Sequence, residues 1–313
     1  MNKIVFGVDI GGTTVKLGVF SAEGTLLDKW EIPTRKEEKG RFILSDVAES
    51  ILAKQQAMGY PSEDVIGVGV GVPGPVDANG VIQFAVNLGW GKMSIVDTLG
   101  PLVGVPVKAA NDANVAALGE MWKGGGQGFS DVVAVTLGTG VGGGVIVQGK
   151  LIAGATGSGG EIGHINVEEK EEQSCSCGCK GCLEQYASAT GVVRLAGERL
   201  ALDDKPSMLR EGELSAKAVW DAVKAGDEVA TEVAEKFGHY MGKGLSSIGA
   251  VVNPEVFVVG GGVSKAGEIL FQYIRPCYEK YAFPGIKNVQ FKLAKLGNDA
   301  GIYGAAKLVI GDK

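Results

Sequence analysis

Four of the chain's five cysteines lie within eight residues, in the segment Cys175-Ser176-Cys177-Gly178-Cys179-Lys180-Gly181-Cys182. Such crowding favours a metal site, because a buried structural cysteine is usually a single small hydrophobic residue. The nearest histidine is His164, so three thiolates and one imidazole predict a closed tetrahedral zinc site of the structural type. Spacing alone leaves open which three cysteines bind. A disulfide pair is the alternative, which a reducing compartment disfavours, and Cys277 is expected to be an inert core residue.

Glycine-rich turns follow three predicted strands, and glycine supplies 51 of the 313 residues. Backbone N–H groups and threonine hydroxyls in such turns can contact phosphate oxygens. Three loops, two of them with threonine, favour nucleotide binding over simple hairpin turns. Asp9 could hold Mg²⁺ through water, and Lys16 could reach the phosphates. The residues predicted to bind ATP and its magnesium are Asp9, Gly11, Gly12, Thr13, Thr14 and Lys16, then Gly138, Thr139 and Gly140, then Gly261 and Gly262.

Two other nucleotide-binding motifs fit the chain less well. The Walker sequence G-x-x-x-x-G-K-[ST] does not occur in it. The sequence G-x-G-x-x-G occurs twice, from Gly69 and from Gly138. Prolines follow the first match and β-branched residues the second, so neither is expected to open the helix that a dinucleotide site requires. A dehydrogenase is therefore disfavoured.

Asp112 is the candidate general base, in a segment between a predicted strand and a predicted helix. A sugar hydroxyl is a poor nucleophile, and a carboxylate within hydrogen-bond reach can accept its proton as it attacks a γ-phosphoryl group. On the local sequence alone, capping of the helix by Asn111 or Asp112 explains the segment better. The surrounding motifs reverse that preference.

A second polar cluster consists of Glu161, His164 and, beyond the cysteines, Glu184. Carboxylates suit sugar recognition because each oxygen can accept hydroxyl protons in a fixed geometry. Asn87 could donate to and accept from a further hydroxyl, although an isolated asparagine of this kind is more typical of a turn. The charged stretch from Glu168 to Gln173 is expected to be a solvated loop.

The elements that must position these residues alternate between strands and helices. The chain opens with three predicted strands between Lys3 and Ile32, and a helical stretch runs from Phe42 to Met58. A glycine-turned hairpin between Asp131 and Gln148 begins the same plan again. Apolar residues recur every fourth position in Val229–Val252 and predict one buried stripe. A plan that occurs twice predicts two related α/β halves with a cleft between them, divided near Asn111.

Composition excludes several classes of protein. Hydrophobic residues make up 45% and charged residues 21%, which is typical of a globular chain. Thirty basic against 36 acidic residues leave a net charge of −6, so neither nucleic acid nor an anionic membrane is expected as a partner. No apolar run is of membrane-spanning length and no signal peptide is expected, which predicts a cytoplasmic protein.

Together these motifs resemble the ROK family of bacterial sugar kinases and repressors, and within it the kinases that act on glucose. The resemblance runs from the Asp9 loop to Leu296-Gly297-Asn298-Asp299-Ala300-Gly301. Its most specific part is the cysteine segment through Glu184, which fits C-x-C-G-x-x-G-C-x-E. The family implies a two-domain actin-like, ribonuclease-H-like ATPase fold with an inter-domain cleft. Residues 1–110 with the C-terminal helix 299–313 would form the small α/β domain, and residues 111–298 the large α/β domain that carries zinc.

The resemblance also implies roles for single residues. Asp112 matches the catalytic base, and Cys179 falls at a variable position of the pattern. The implied zinc ligands are His164, Cys175, Cys177 and Cys182. The implied sugar contacts are Gly71, Asn87, Asn111, Asp112, Glu161, His164 and Glu184.

The expected activity is ATP-dependent phosphorylation of glucose at O6, a step of glycolysis, by a homodimer or homotetramer. The same mechanism could serve N-acetylmannosamine, N-acetylglucosamine, mannose or fructose, which only the shape of the pocket distinguishes. A sugar-sensing regulator without turnover is disfavoured by the intact Asp112 and Asp9. An actin-like structural ATPase would leave the zinc cluster, Glu161 and Glu184 unexplained.

Overall fold

The computed structural model describes residues 3–311. Within that range, twelve strands form two five-stranded sheets and one two-stranded ladder. The strands are β1 (Ile4–Ile10), β2 (Thr14–Ser21), β3 (Leu26–Pro33), β4 (Val65–Val72), β5 (Val81–Ile82), β6 (Met93–Ser94), β7 (Val107–Asn111), β8 (Val132–Leu137), β9 (Val141–Val147), β10 (Lys150–Leu151), β11 (Val256–Gly260) and β12 (Gln290–Leu293).

Both large sheets have the same strand order. The first runs β3-β2-β1-β4-β7 and the second runs β10-β9-β8-β11-β12, so each reads 3-2-1-4-5 in its own chain order. In the first sheet β1 pairs antiparallel with β2 and parallel with β4. In the second, β11 lies parallel between β8 and β12. This repetition confirms the two related α/β halves and the actin-like, ribonuclease-H-like fold class.

In each half of the chain, three consecutive strands come before a group of helices. None of those within residues 3–311 is long and apolar enough to cross a membrane. The helices are α1 (Glu37–Gly40), α2 (Ile43–Ala57), α3 (Ile95–Val103), α4 (Asp112–Lys123), α5 (Glu184–Ala187), α6 (Ala189–Leu200), α7 (Ala216–Lys224), α8 (Glu228–Val252), α9 (Ile269–Tyr281) and α10 (Ala300–Ile310).

The chain folds into two compact units. The first runs through Ser130 and includes Gly144–Gly160 and the chain from Leu296 onward. The second consists of Asp131–Gly143 and Glu161–Lys295. Helices α4 and α10 both belong to the first unit. The predicted boundary near Asn111 between the small and the large domain stays a prediction. Of the predicted C-terminal helix 299–313, residues 312–313 lie outside the described range.

In the first unit, glycines allow α10 to pack directly on the sheet. A Cβ added at Gly7 would lie 2.0 Å from the carbonyl oxygen of Ile302, and one at Gly69 would lie 1.7 Å from that of Ala305. A Cβ added at Gly304 would lie 1.5 Å from the carbonyl oxygen of Val115, on α4. Side chains at these positions would push the helices away from the strands. Close packing therefore brings the first turns of α4 and α10 to the strand ends that carry the candidate site.

In the second unit, α8 is the central helix. The predicted stripe is confirmed, since Val229, Val233, Phe237, Met241 and Leu245 are fully buried. Full burial of such side chains stabilises the fold by roughly 1.5–3 kcal/mol each. The helix ends at Asn253, which adopts a left-handed conformation with φ 45° before Pro254.

Candidate active site

Strands β1, β4 and β7 are parallel and end at the same edge of the first sheet, where several predicted site residues lie. Asp9 pairs with Gly71 on β4. Asn111 ends β7 opposite Val72, and Asp112 follows as the first residue of α4. Ligands of open α/β sheets bind outside the carboxyl ends of the strands. The sheet register therefore brings Asp9 and Asp112 to one place suited to a ligand.

Asp112 is half-buried and held by its neighbours. Its Oδ1 accepts hydrogen bonds from Asn111 Nδ2 (2.9 Å) and from the Ala113 amide (2.8 Å). The N-cap of α4 is Asn111, whose Oδ1 accepts from the Asn114 amide at 3.2 Å. Asn111 Nδ2 also donates to the Gly74 carbonyl oxygen (3.2 Å). The capping explanation thus applies to Asn111, and Asp112 is an oriented carboxylate at a helix N-terminus, which stabilises negative charge.

Asp9 lies in an unusual electrostatic environment. Burial raises its pKa from the ordinary 3.8 to about 6, the negative charge of Asp112 adds to the rise, and Lys16 opposes it. Lys16 faces Asp9 across the β1–β2 ladder and donates to the Asn298 carbonyl oxygen at 3.1 Å. Gly301 lies against the carboxylate, since an added Cβ would come within 2.5 Å of the Asp9 Cγ. Two mutually repelling carboxylates are an arrangement that a divalent cation would relieve.

Replacing Asp9 by asparagine should therefore stabilise the ligand-free protein at pH 7, by about 1–3 kcal/mol. Because the folded pKa is raised, the folded protein binds more protons than the unfolded chain between about pH 4 and pH 6. Wild-type stability should fall as pH rises through this window, whereas the variant should lack that contribution. Urea unfolding of both proteins at pH 4, 5, 6 and 7 measures it. The exposed Asp97→Asn on α3 is the control, and equal pH slopes for wild type and Asp9→Asn would contradict this account of the site.

The loop between β1 and β2 presents backbone amides. The Gly11 amide donates to the Thr14 carbonyl oxygen (3.0 Å), which closes the turn. Thr34 donates two hydrogen bonds to the loop. Its amide donates to the Thr13 carbonyl oxygen (2.9 Å), and its hydroxyl donates to the Gly11 carbonyl oxygen (2.7 Å). Among the described residues, no hydrogen-bond partner is found for the amides of Gly12 and Thr13. These two donors are suited to phosphate oxygens.

The structure gives Asn87 and Gly71 different surroundings. Asn87 lies exposed in the 3₁₀ turn Val86–Leu88, where its Cβ would be 4.0 Å from a Cβ added at Gly12. Gly71 is buried in β4, and an added Cβ would lie 2.5 Å from Val115 Cγ2. Close packing of α4 therefore accounts for a glycine at position 71, and its contribution to sugar binding stays a prediction.

Two glycine loops lie side by side in the second unit because β8 and β11 are parallel neighbours. The turn Gly138–Gly140 joins β8 to β9. The Gly138 amide donates to the Gly140 carbonyl oxygen (3.0 Å). Gly261 has φ 86°, and an added Cβ would lie 2.5 Å from the carbonyl oxygen of Leu137. Thr139 and Gly262 are exposed on these loops. The pair forms a second surface of turn backbone, and its contact with phosphate stays a prediction.

The thiol cluster has the dimensions of a tetrahedral metal site. The ligand atoms of His164, Cys175, Cys177 and Cys182 all lie within 4.8 Å of one another. His164 Nδ1 is 3.7 Å from Cys175 Sγ, and Cys177 Sγ is 3.7 Å from Cys182 Sγ. A zinc–sulfur bond of about 2.3 Å gives a tetrahedron edge of about 3.8 Å. The set is the one that the family resemblance implies, and the exposed Cys179 lies outside it.

The chemistry of the donors also fits a divalent cation. All five cysteines are free thiols, and Cys277 is half-buried. Burial raises the pKa of Cys182 to about 12, and the neighbouring thiols add to the rise. The backbone amide of Cys179 instead lowers the pKa of Cys177. Thiols that oppose one another's ionisation need positive charge among them to become ligands, and a bound zinc ion would supply it.

The predicted sugar contacts of the second unit surround this cluster. His164 turns Nδ1 toward the thiols and Nε2 toward Glu161, whose Oε2 is 3.9 Å away. Glu184 Oε2 accepts from the Val141 amide (3.0 Å), and its Oε1 accepts from the Ser176 hydroxyl (2.8 Å). Oε1 also accepts from the Cys175 thiol at 3.6 Å. Each carboxylate oxygen has two lone pairs, so Oε2 can still accept from a hydroxyl. The arrangement permits His164 to bind metal and sugar at once.

Sequence reasoning missed Glu120, a buried carboxylate on α4. Its Oε2 accepts from the Gly125 amide (2.7 Å) and its Oε1 from the Leu296 amide (2.8 Å). A Cβ added at Gly124 would lie 1.9 Å from Oε2. Glu120 thus connects α4 with the segment before α10. The run of three glycines that follows α4 is the signal that could have revealed it, since the first two lie against the carboxylate.

The prediction that the stretch from Glu168 to Gln173 is a solvated loop is wrong for Glu171. Only 8% of the Glu171 side chain is exposed, and it forms an ion pair with Arg194 at 2.9 Å. A run of charges along the chain carries no information about a partner 23 residues later. Composition alone therefore predicted that the Glu171 side chain is exposed to solvent.

Comparison with known proteins gives matches over nearly the whole chain. A model of the ROK family matches residues 5–312. A glucokinase from Halalkalibacterium halodurans is 42% identical over 310 residues, which cover 97% of this chain and 94% of that protein. A glucokinase from Thermotoga maritima is 35% identical over 97% of this chain and 96% of that protein. A solved ROK family glucokinase from Streptomyces griseus, in complex with glucose and AMPPNP, has TM-score 0.75 and 36% identity, with 97% and 98% of the chains covered.

Proposed function

The chain belongs to the ROK family, and we propose that it transfers the γ-phosphoryl group of ATP to O6 of glucose. The observation that supports this most is the Asp112 carboxylate, oriented by Asn111 and Ala113 beside Asp9 at the carboxyl edge of a parallel sheet. The 42% identity to a glucokinase over nearly the full length supports glucose as the sugar.

In the proposed reaction Asp112 accepts the proton of the O6 hydroxyl as that oxygen attacks the γ-phosphorus. The bond from the γ-phosphorus to the bridging oxygen breaks, and ADP leaves. Because the transition state needs mainly positioning and charge neutralisation, turn amides and cations are suitable catalysts. Asp9 would hold magnesium through water, and Lys16 would neutralise phosphate charge. The loop residues proposed to contact the phosphates are Gly11, Gly12, Thr13, Thr14, Gly138, Thr139, Gly140, Gly261 and Gly262. In the first loop the amides of Gly12 and Thr13 would be the donors, because the Gly11 amide closes the turn.

We propose that seven of the predicted residues contact the bound sugar. On the first unit these are Gly71, Asn87, Asn111 and Asp112, and on the second Glu161, His164 and Glu184. Zinc would be held by His164, Cys175, Cys177 and Cys182, where it would supply the positive charge that keeps three thiolates together. His164 would then be fixed with Nε2 available to a sugar hydroxyl, while proton transfer is left to Asp112.

A panel of hexoses in a coupled ADP-release assay tests the proposal. Glucose should have the highest kcat/KM of glucose, mannose, fructose, N-acetylglucosamine and N-acetylmannosamine, and glucose-6-phosphate dehydrogenase should oxidise the product. Omission of magnesium is the control and should abolish ADP release. Equal or better turnover of an N-acetylated sugar would contradict the glucose assignment. No ADP release with any hexose would contradict kinase activity and favour a sugar-sensing regulator.

We also propose that the reaction takes place in the cytoplasm and that the active form is a homodimer or homotetramer. Five free thiols suit a reducing compartment, and the family resemblance supports the assembly. Sedimentation equilibrium of the purified protein distinguishes a monomer of 32.3 kDa from either assembly.

A further inference from the structure

Three polar side chains of the second unit contact one another: Glu171, Tyr186 and Arg194, here called the brace. Glu171 Oε2 accepts from the Tyr186 hydroxyl at 2.6 Å and pairs with Arg194 Nη1 at 2.9 Å. Its Oε1 accepts from the Gln173 amide at 3.0 Å. The side chains of Glu171 and Arg194 are only 8% and 21% exposed. Both carboxylate oxygens are therefore used inside the protein.

The brace is attached to two long helices. Arg194 belongs to α6, and its Nε and Nη2 donate to the Gln185 carbonyl oxygen at 3.3 and 3.1 Å. The guanidinium carbon of Arg194 lies 4.8 Å from the centroid of the Tyr186 ring. The Tyr186 ring also stacks on the Tyr240 ring of α8, with centroids 3.8 Å apart. Tyr186 is thus held between a cation and an aromatic ring, contacts that add to its hydrogen bond.

The brace reaches the candidate site through the short helix α5. Glu184, Gln185 and Tyr186 are consecutive residues, so fixing Tyr186 and Gln185 fixes the backbone that carries Glu184. The Gln185 side chain accepts from the Cys182 amide (3.0 Å) and donates to the Gln173 carbonyl oxygen (3.0 Å). One end of α5 is therefore connected to a proposed metal ligand and the other to α6 and α8.

Electrostatics keep the pair in the brace ionised. Burial alone would raise the pKa of Glu171, yet hydrogen bonds from Tyr186 and Gln173 and the charge of Arg194 hold that pKa below its usual range. Arg194 also pairs with Glu198 at 3.0 Å, so removing the charge at position 171 takes away one of its two carboxylate partners, and the less exposed one. A neutral side chain at position 171 should therefore loosen α5 and the thiol segment together.

We propose that Glu171, Arg194 and Tyr186 are positioning residues for sugar binding, which hold α5 and with it Glu184 and Cys182 in place. The metal would fix the thiol segment at its four ligand atoms, and the brace would fix the same segment from α6 and α8. The sugar-binding part of this inference rests on the proposed function, whereas its effect on the metal site does not.

The test compares Glu171→Gln with wild type as zinc-loaded proteins. The variant should raise KM for glucose by about 10-fold and leave KM for ATP within about 2-fold. It should speed zinc release to a chromogenic chelator by about 10-fold, the lower range for loss of a residue that supports a metal ligand. Tyr186→Phe, which removes the hydroxyl and keeps the stacked ring, should give a smaller change in the same direction and serves if Glu171→Gln does not fold.

The matched control is Glu232→Gln, which breaks the ion pair between Glu232 and the buried Arg199, also on α6. It should lower the thermal midpoint without changing KM for glucose or zinc release. If the Glu171 and Glu232 variants change these quantities alike at equal loss of thermal midpoint, the brace is a stability element only and the inference is wrong. If wild type turns over no hexose, the proposed function fails, and the zinc-release rates of Glu171→Gln and Glu232→Gln still decide whether the brace holds the metal site.

Discussion

Replacing Asp112 by asparagine should lower kcat by about 100- to 10,000-fold, the range for loss of a general base. Asparagine cannot accept the O6 proton at neutral pH, so the barrier to attack of O6 on the γ-phosphorus rises. Glucose affinity should stay within a few-fold, because the amide can still accept and donate hydrogen bonds to the hydroxyl. ADP-release kinetics give kcat, and calorimetric titration with glucose gives the dissociation constant.

The fold should tolerate this substitution. Asn111, not Asp112, caps α4, and an asparagine Oδ1 can accept from Asn111 Nδ2 and the Ala113 amide as the carboxylate does. Asp97→Asn, in the first turn of α3, is the matched control and should have wild-type kinetics. A kcat close to that of wild type in Asp112→Asn would reject its role as base.

Replacing Cys182 by serine should cost the protein its zinc and weaken glucose binding by at least about 10-fold. Cys182 is a buried thiol whose sulfur lies 3.7 Å from that of Cys177, so its loss leaves an incomplete tetrahedron. With the metal lost, His164 is no longer fixed against the thiols. Metal analysis gives the zinc content, and calorimetric titration gives the glucose affinity.

Cys179→Ser is the control for that variant. Cys179 is exposed in the same segment but lies outside the ligand set, so the variant should keep one zinc per chain and wild-type glucose affinity. Loss of zinc from Cys179→Ser would show that the ligand set is wrong. Unchanged glucose affinity in zinc-free Cys182→Ser would contradict the organising role of the metal.

Local pattern was enough to predict the features that depend on neighbours along the chain. The buried stripe of α8 follows from apolar residues at every fourth position, because that spacing places them on one face of a helix. The glycine turns after β1, β8 and β11 were predicted because few other residues permit such tight bends. The two-fold plan of the chain was visible as a repeated succession of hairpin and helices.

Interactions between distant residues were beyond the same reasoning. The Glu120 carboxylate accepts a hydrogen bond from the amide of Leu296, 176 positions away. The glycines after Glu120 could indicate a buried carboxylate but not this partner. Glu171 was predicted to be solvated because its neighbours are charged, whereas Arg194 and Tyr186 bury it. For the metal site, spacing indicated a thiol cluster but could not choose among four cysteines. The family pattern implied the choice that the ligand distances then matched.

A structure of the protein with glucose and a non-hydrolysable ATP analogue would show whether Asp112 is the base. We expect an Asp112 carboxylate oxygen within about 2.6–3.2 Å of the glucose O6, or joined to it through one water. The O6 should point at the γ-phosphorus while the Gly12 and Thr13 amides face phosphate oxygens. A complex with glucose bound and Asp112 beyond reach of O6, with another base in its place, would contradict it.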